Sequence, residues 1–169
     1  MKIIEALKKI KYLEKKAQDY TNKIAKNCVH MDYENPVYEN QESKFKSWIQ
    51  GYKDILKEIS TLHYRIQKTN LMTKMKIELP QGTVEKTLTE WIIRRRKLAD
   101  MELKMFNSIN DRGLKEGMVN FPSGQSVHAK IKRYYNPSEN DKIRSDLSEE
   151  PIIIDGKLEI INAVTDLLE

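Results

Sequence analysis

From Ile3 to Cys28 apolar side chains recur at steps of three, four and seven: Ile3, Leu7, Ile10, Ala17, Ile24 and Cys28, with Leu13 and Tyr20 widening the stripe. This spacing predicts an amphipathic helix of about seven turns. Lys9, Lys16 and Lys23 stand every seventh residue beside Ile10, Ala17 and Ile24, where flanking charges border a coiled-coil seam. They read first as solvated shoulders and second as a nucleic-acid stripe. From Val29 to Asn40 the periodicity fails, and Asn35-Pro36 among acids and tyrosines predicts a connecting loop.

The next stretch carries the strongest pattern. Phe45, Trp48, Ile49, Tyr52, Ile55, Leu56, Ile59, Leu62, His63, Ile66 and Asn70 follow one face, with Tyr52, Ile59 and Ile66 seven apart. A helix over 42–74 would extend about 50 Å at about 1.5 Å per residue. A ball-shaped fold of this chain length would measure only about 40 Å across, so an elongated molecule is expected. The first helix is the expected antiparallel neighbour. Pro80 and Gly82 then break the pattern and predict a short ribbon at 77–86. Thr87-Leu88-Thr89-Glu90 fits a capping box, and Leu88, Trp91, Ile92, Leu98, Met105, Phe106 and Ile109 predict the buried face of a third helix ending near Gly113.

Beyond Gly113, Gly117, Pro122, Gly124 and Pro137 punctuate the chain, and Val127, Ala129 and Ile131 alternate with His128, Lys130 and Lys132. Period two predicts a strand. After Pro151, two readings compete: Asp155-Gly156 between apolar runs signals a hairpin, while Leu158, Ile161, Val164, Leu167 and Leu168 have helical spacing behind a capping Asp155. A strand followed by a helix is the favoured reading. The expected fold is mainly α: an elongated bundle of three long helices, an antiparallel hairpin plus a third helix, with a small β-containing C-terminal appendage. The expected division is a helical stalk over 1–112 and a small α+β appendage over 113–169.

Composition sharpens this picture in three ways. The 169 residues are 39% hydrophobic and 33% charged, with a mean hydropathy of -0.68, so apolar residues must be concentrated in narrow stripes. No run approaches the ~18 apolar residues of a membrane span, and Met1 to Lys11 carries four lysines without a cleavable apolar core. A soluble protein, cytoplasmic or in a virion if phage-encoded, is expected. Charge is polarised: residues 1–30 hold eight lysines against three acids, net +5, and residues 140–169 hold three basic against eight acidic side chains, net -5. Head-to-tail attraction is one implication. A pI of about 9.1 is the other, as the footprint of a nucleic-acid binder.

Signs of chemistry are sparse. The lone Cys28 excludes an internal disulfide or a Cys-x-x-Cys metal site. His30, His63 and His128 are too dispersed for a local ligand cluster, and His63 reads as a core histidine on the long helix. No phosphate loop, nucleophile elbow or His-Glu-x-x-His occurs, so no enzyme activity, cofactor or metal is expected. Arg94, Arg95, Arg96 and Lys97 fan around a helix and read first as solvated surface, second as phosphate contacts. Lys130, Lys132 and Arg133 beside Tyr134 and Tyr135 suit base stacking or a protein rim. Trp48, Tyr52 and Trp91, with Tyr134 and Tyr135, are the candidate partner-binding aromatics. Asn70 is the candidate for fixing helix register.

Arg65-Ile66-Gln67-Lys68-Thr69-Asn70 and Thr73, followed by a turn and then Thr87-Leu88-Thr89-Glu90-Trp91 and Arg95-Arg96-Lys97-Leu98, resemble the septicolysin-like family of small helical bacterial proteins of undetermined role. Similar segments occur in uncharacterised phage proteins. The resemblance covers about residues 1–110 and implies an extended helical hairpin with a third helix; it carries no catalytic residue. The function expected from these features is non-enzymatic: a structural or interaction protein, a homo-oligomer or a subunit of a larger particle. A nucleic-acid-binding accessory protein is the alternative, and a small enzyme without a recognisable motif the third.

Overall fold

Helix α1 (Ile3–Asn27) and helix α2 (Gln41–Met72) form where the two long stripes predict them. In the computed structural model, which describes residues 1–169, α1 buries Ile3, Ala6, Ile10, Leu13 and Ala17. The buried face of α2 is Trp48, Ile55, Leu62, Ile66 and Thr69. Asn40 starts α2 by accepting the Ser43 N–H on its side chain, a standard use of a short polar residue at a helix N-terminus. The two helices run antiparallel. Gln41 donates to the carbonyl of Asn27, Tyr20 lies against Gly51, and Lys9 pairs with Glu58, so the partners retreat along one helix as they advance along the other. At Gly51 a Cβ would stand 2.9 Å from the Tyr20 hydroxyl, and glycine is what lets the ring approach this closely.

The last residues of the chain complete this unit, which comprises Met1–Lys74 and Leu158–Glu169. Ile3 N–H donates to the Thr165 carbonyl at 3.0 Å and Leu167 N–H to the Met1 carbonyl at 2.8 Å. Lys2 pairs with Asp166. Leu168 N–H donates to the buried Thr69 hydroxyl, and Arg65 Nε donates to the Leu168 carbonyl. Both termini are thus tied down by backbone hydrogen bonds, against the usual tendency of chain ends to fray.

The second unit is Met75–Lys157, so the chain divides near Lys74 and again near Lys157. Strands β1 (Lys74–Leu79) and β2 (Gly82–Thr87) form the expected ribbon, with Met75 and Ile77 buried. Thr87 and Glu90 make the capping box that opens helix α3 (Leu88–Ile93). Then regularity is lost: Arg94–Leu98 is a π-helical turn, in which Ala99 N–H donates to the Arg94 carbonyl, and helix α4 (Ala99–Ser108) continues beyond it. A π turn holds one residue more than an α turn. The heptad Trp91, Leu98, Met105 expected to be buried is therefore displaced by one. Ala99 is 1% exposed while Leu98 is 43% exposed, and Phe106 is more buried than Met105.

Strands β3 (Gly117–Asn120) and β4 (Ser126–Ala129) pair antiparallel, with Val119 opposite Val127 and Met118 opposite His128. The strand expected at 127–131 is β4, with a partner that sequence spacing does not show. Residues 137–164, expected to carry a strand and then a final helix after Pro151, form one helix instead, α5 (Pro137–Val164). Asn136 caps it by accepting the N–H groups of Ser138 and Glu139, with Pro137 in the first-turn position it tolerates best. The helix passes through Pro151 although an interior proline costs about 3 kcal/mol. Leu147, Glu150 and Ile154 are all buried, and their i, i+3, i+7 spacing lays them on one helical face, so burial outweighs local preference. The chain is mainly helical with two small hairpins, but it has a fourth helical rod, not three. No helix is long and apolar enough to cross a membrane.

Candidate interaction surfaces

Among the expected partner-binding aromatics, three are committed to the protein's own packing. Trp91 is 1% exposed and donates its indole N–H to the Met75 carbonyl at 3.0 Å, which fixes the ribbon to α3. Trp48 is buried and meets Tyr38 edge to face, with ring centroids 5.3 Å apart. Tyr52 is half-buried on α2. Of the remaining two, Tyr135 is half-buried and donates its hydroxyl to Asp111, and Tyr134 alone is free, at 89% exposure, with Lys132 over its ring. Apolar faces that fit a fold's own core are spent there first.

The basic clusters are likewise redistributed. Arg94 does not face solvent: its Nε and Nη2 donate to the two carboxylate oxygens of buried Glu150 at 2.6 and 2.7 Å, and its Nη1 donates to Glu102. Glu150's hydrogen bonds hold the Arg94 guanidinium above its ordinary pKa in spite of burial. The π turn makes the Glu102 pairing possible. In an unbroken α-helix residues eight apart lie about 80° out of line, and the extra residue brings Arg94 and Glu102 within about 20° of one line. Arg95 pairs with Asp155. Arg96 and Lys97 are exposed, so the run of four contributes two free cations. In the second cluster Arg133 forms a two-point pair with Asp111, at 2.8 and 2.6 Å. Arg133 and Tyr135 hold the Asp111 carboxyl below its usual range. Lys130 and Lys132 are exposed.

A free basic surface lies on α1, where the sequence pattern points chiefly to solvated shoulders. At about 100° per residue, Lys8, Lys11, Lys15, Lys23 and Lys26 fall opposite the buried face, with Tyr12 beside them and Asp19 as the acid in their midst. Lys9 pairs with Glu58. A shallow groove on this face is lined by Tyr12, Lys15, Lys16, Asp19, Tyr20 and Lys23.

Two apolar surfaces lie outside the helical stripes of the sequence. One is the β3–β4 hairpin: Val119 and Val127 are cross-strand partners on one face, both exposed, with Phe121 at the tip. Pro122 and Gly124 (φ 79°) turn the tip, and Gly124 N–H donates to the Phe121 carbonyl. The base is held by Asp111, Arg133 and Tyr135 and by Ile131 N–H donating to Glu116. The other surface is the 28–40 loop, which exposes Val29, Met31, Tyr33 and Val37. A groove there is lined by Val29, Pro36, Val37 and Glu34, with Lys26 and His30 also contributing. In both, exposed apolar residues stand where helical periodicity fails.

The cysteine and the three histidines all lie at the surface. Cys28 is exposed at the end of α1, off the buried face it was expected to share. His30, His63 and His128 are all exposed, so His63 is not the core histidine the stripe implied. No three His, Cys, Asp or Glu side chains are grouped to hold a metal ion. Asn70 keeps a buried side-chain oxygen without a partner, while its neighbour Thr69 makes the inter-segment hydrogen bond.

The fold is similar to that of a functionally unknown conserved protein from Corynebacterium diphtheriae, with a TM-score of 0.55 and 16% identity over 99% of each chain. That likeness is one of fold alone. The sequence matches no curated protein. Residues 11–167 match the model of a family of unknown function, DUF6847, and the chain belongs to that family.

Proposed function

We propose that this is a non-enzymatic structural or interaction protein, cytoplasmic or virion-borne, that serves as a subunit of a larger assembly such as a phage particle. The observation that carries the reading is the β3–β4 hairpin, whose Val119, Val127 and Phe121 are exposed together on a two-stranded element. A hairpin of this size is marginal in water by itself, and clustered exposed apolar side chains mark contact sites in soluble proteins. The resemblance of residues 1–110 to septicolysin-like and phage segments supports the same setting. A photoreactive residue placed at Phe121 in the native host is expected to yield covalent protein adducts. Recovery of the chain without any protein adduct overturns the reading.

A second reading, a nucleic-acid-binding accessory protein, is favoured by the outward lysines of α1. Its test is a binding titration against salt. Reversing Lys15 and Lys26 to glutamate is expected to lower the salt slope by about one for each phosphate no longer neutralised, and a slope unchanged by both substitutions rejects it.

A further inference from the structure

The two exposed apolar surfaces carry opposite charge. Residues 29–40 contain Asp32, Glu34 and Glu39 and no lysine or arginine, net -3, and Lys26 on the lining of the groove leaves the surface at net -2. Residues 111–134 contain Arg112, Lys115, Lys130, Lys132 and Arg133 against Asp111 and Glu116, net +3. Within the hairpin both acids are engaged by Arg133, which leaves the other four cations free to meet an acidic surface. Shape is also complementary: the hairpin presents a turned tip at Phe121 and Pro122, and the loop presents a groove lined in part by Val29, Pro36 and Val37. Both are uncovered in the single chain, with Val37 75% and Phe121 49% exposed. The α1 lysines are the competing cationic surface for the loop, but around them only Tyr12 offers an exposed large apolar side chain opposite the buried face.

We infer that the 111–134 hairpin of one copy seats in the 29–40 loop of a second copy, so that the chain associates with itself head to tail. This rests on the interaction reading above and names its partner. Because the contact joins two different patches, it is heterologous: a joined pair retains one unused hairpin and one unused loop, and growth continues until a ring closes or a filament extends. Opposed charges would steer the encounter and make it salt-sensitive, while the apolar residues supply the contact that survives desolvation.

The test uses purified, nuclease-treated full-length protein and light scattering after size separation, across a concentration series. Wild type is expected to exceed monomer mass at micromolar concentration and to shift toward monomer as salt rises. A loop variant, Asp32→Lys with Glu39→Lys, and a hairpin variant, Lys130→Glu with Lys132→Glu, are each expected to associate at least tenfold more weakly. An equimolar mixture of the two is expected to recover association, because the intact hairpin of the loop variant fits the intact loop of the hairpin variant and the two reversed surfaces again carry opposite charge. Phe121→Ser, checked for an unchanged circular dichroism spectrum and melting temperature, is expected to weaken association without any change of charge. A monomeric wild type, an association that appears only on adding nucleic acid, or variants that associate as wild type does would overturn the inference. Protein adducts at Phe121 in the host, formed with a different protein by a chain that is monomeric when pure, would sink self-association and leave the interaction reading standing. Absence of both sinks both.

Discussion

Arg94 and Glu150 meet through two parallel hydrogen bonds, with Nε to Oε1 at 2.6 Å and Nη2 to Oε2 at 2.7 Å, and the carboxylate is almost wholly buried. A two-point pair of this kind fixes both distance and plane. It sets the π turn against α5 within the second unit, and Glu102 occupies the remaining edge of the guanidinium.

Removing one member of such a pair leaves the other charge buried without compensation. Arg94→Met or Glu150→Leu alone is expected to destabilise the protein by about 3–5 kcal/mol. The double variant is expected to recover most of the loss, since two apolar side chains of similar volume need no counter-charge. Chemical denaturation of the three variants checks this; a loss in the double variant equal to the sum of the two single losses would show that the pair carries no mutual energy.

The π turn behaves as a one-residue insertion, so it should be removable. Arg96 is exposed within it. Deleting Arg96 leaves Ala99 and Phe106 seven and fourteen positions from Trp91, the spacing an uninterrupted α-helix needs to keep them on one face. Arg94 and Glu102 likewise become seven apart. The deletion variant is expected to retain wild-type helicity and melt within a few degrees of it, about 1 kcal/mol or less in stability. A molten or unfolded product would show that the turn itself is required.

Asp111 has its carboxyl pKa lowered, first by the hydrogen bonds from Arg133 and then by that from Tyr135, whose own pKa is raised by the same interaction. A depressed carboxyl stabilises the folded state above its unfolded value, about 4, and that contribution fades as pH falls through the folded value. A raised phenol stabilises below about 10 and its contribution fades as pH rises through the folded value. The base of the hairpin is therefore expected to be most protected between these limits. Amide exchange at Ile131 and Val119 as a function of pH, corrected for intrinsic rates, measures it. Asp111→Asn should remove the acid-side loss of protection.

Thr69 ties the chain's end to α2: its hydroxyl donates to the Arg65 carbonyl at 2.7 Å and accepts Leu168 N–H at 2.9 Å. Thr69→Val keeps the shape and deletes both bonds, stranding the Leu168 N–H, at an expected cost of about 1–3 kcal/mol. Thr69→Ser should lose less. Faster exchange of the Leu168 amide in the valine variant alone is the diagnostic.

Gly51 and Tyr20 offer a cycle with a sign. In a Tyr20→Ala background, Gly51→Ala should stabilise by about 1 kcal/mol through helix propensity. With Tyr20 present the gain should shrink or reverse, because the new Cβ meets the ring. Identical effects in both backgrounds would mean the ring yields at no cost.

Sequence alone determined the elements whose signals are local and repeated. α1 and α2 follow from stripes sustained over many turns, the ribbon from Pro80 and Gly82, and the start of α3 from the Thr87 and Glu90 capping box, because each rests on interactions within a few residues. Tertiary structure decided the rest. Pro151 and Asp155-Gly156 argue locally against a helix, yet burial of Leu147, Glu150 and Ile154 carries α5 straight through them. The heptad from Trp91 to Leu98 and Met105 assumes constant pitch, and the π turn shifts the buried face to Ala99 and Phe106. Arg94 and Arg133 look like free cations in sequence and are neutralised by Glu150 and Asp111, 56 and 22 residues away. Charge pairing and burial at such separations depend on which surfaces the folded chain brings together, and periodicity, being a property of neighbours, holds no record of that.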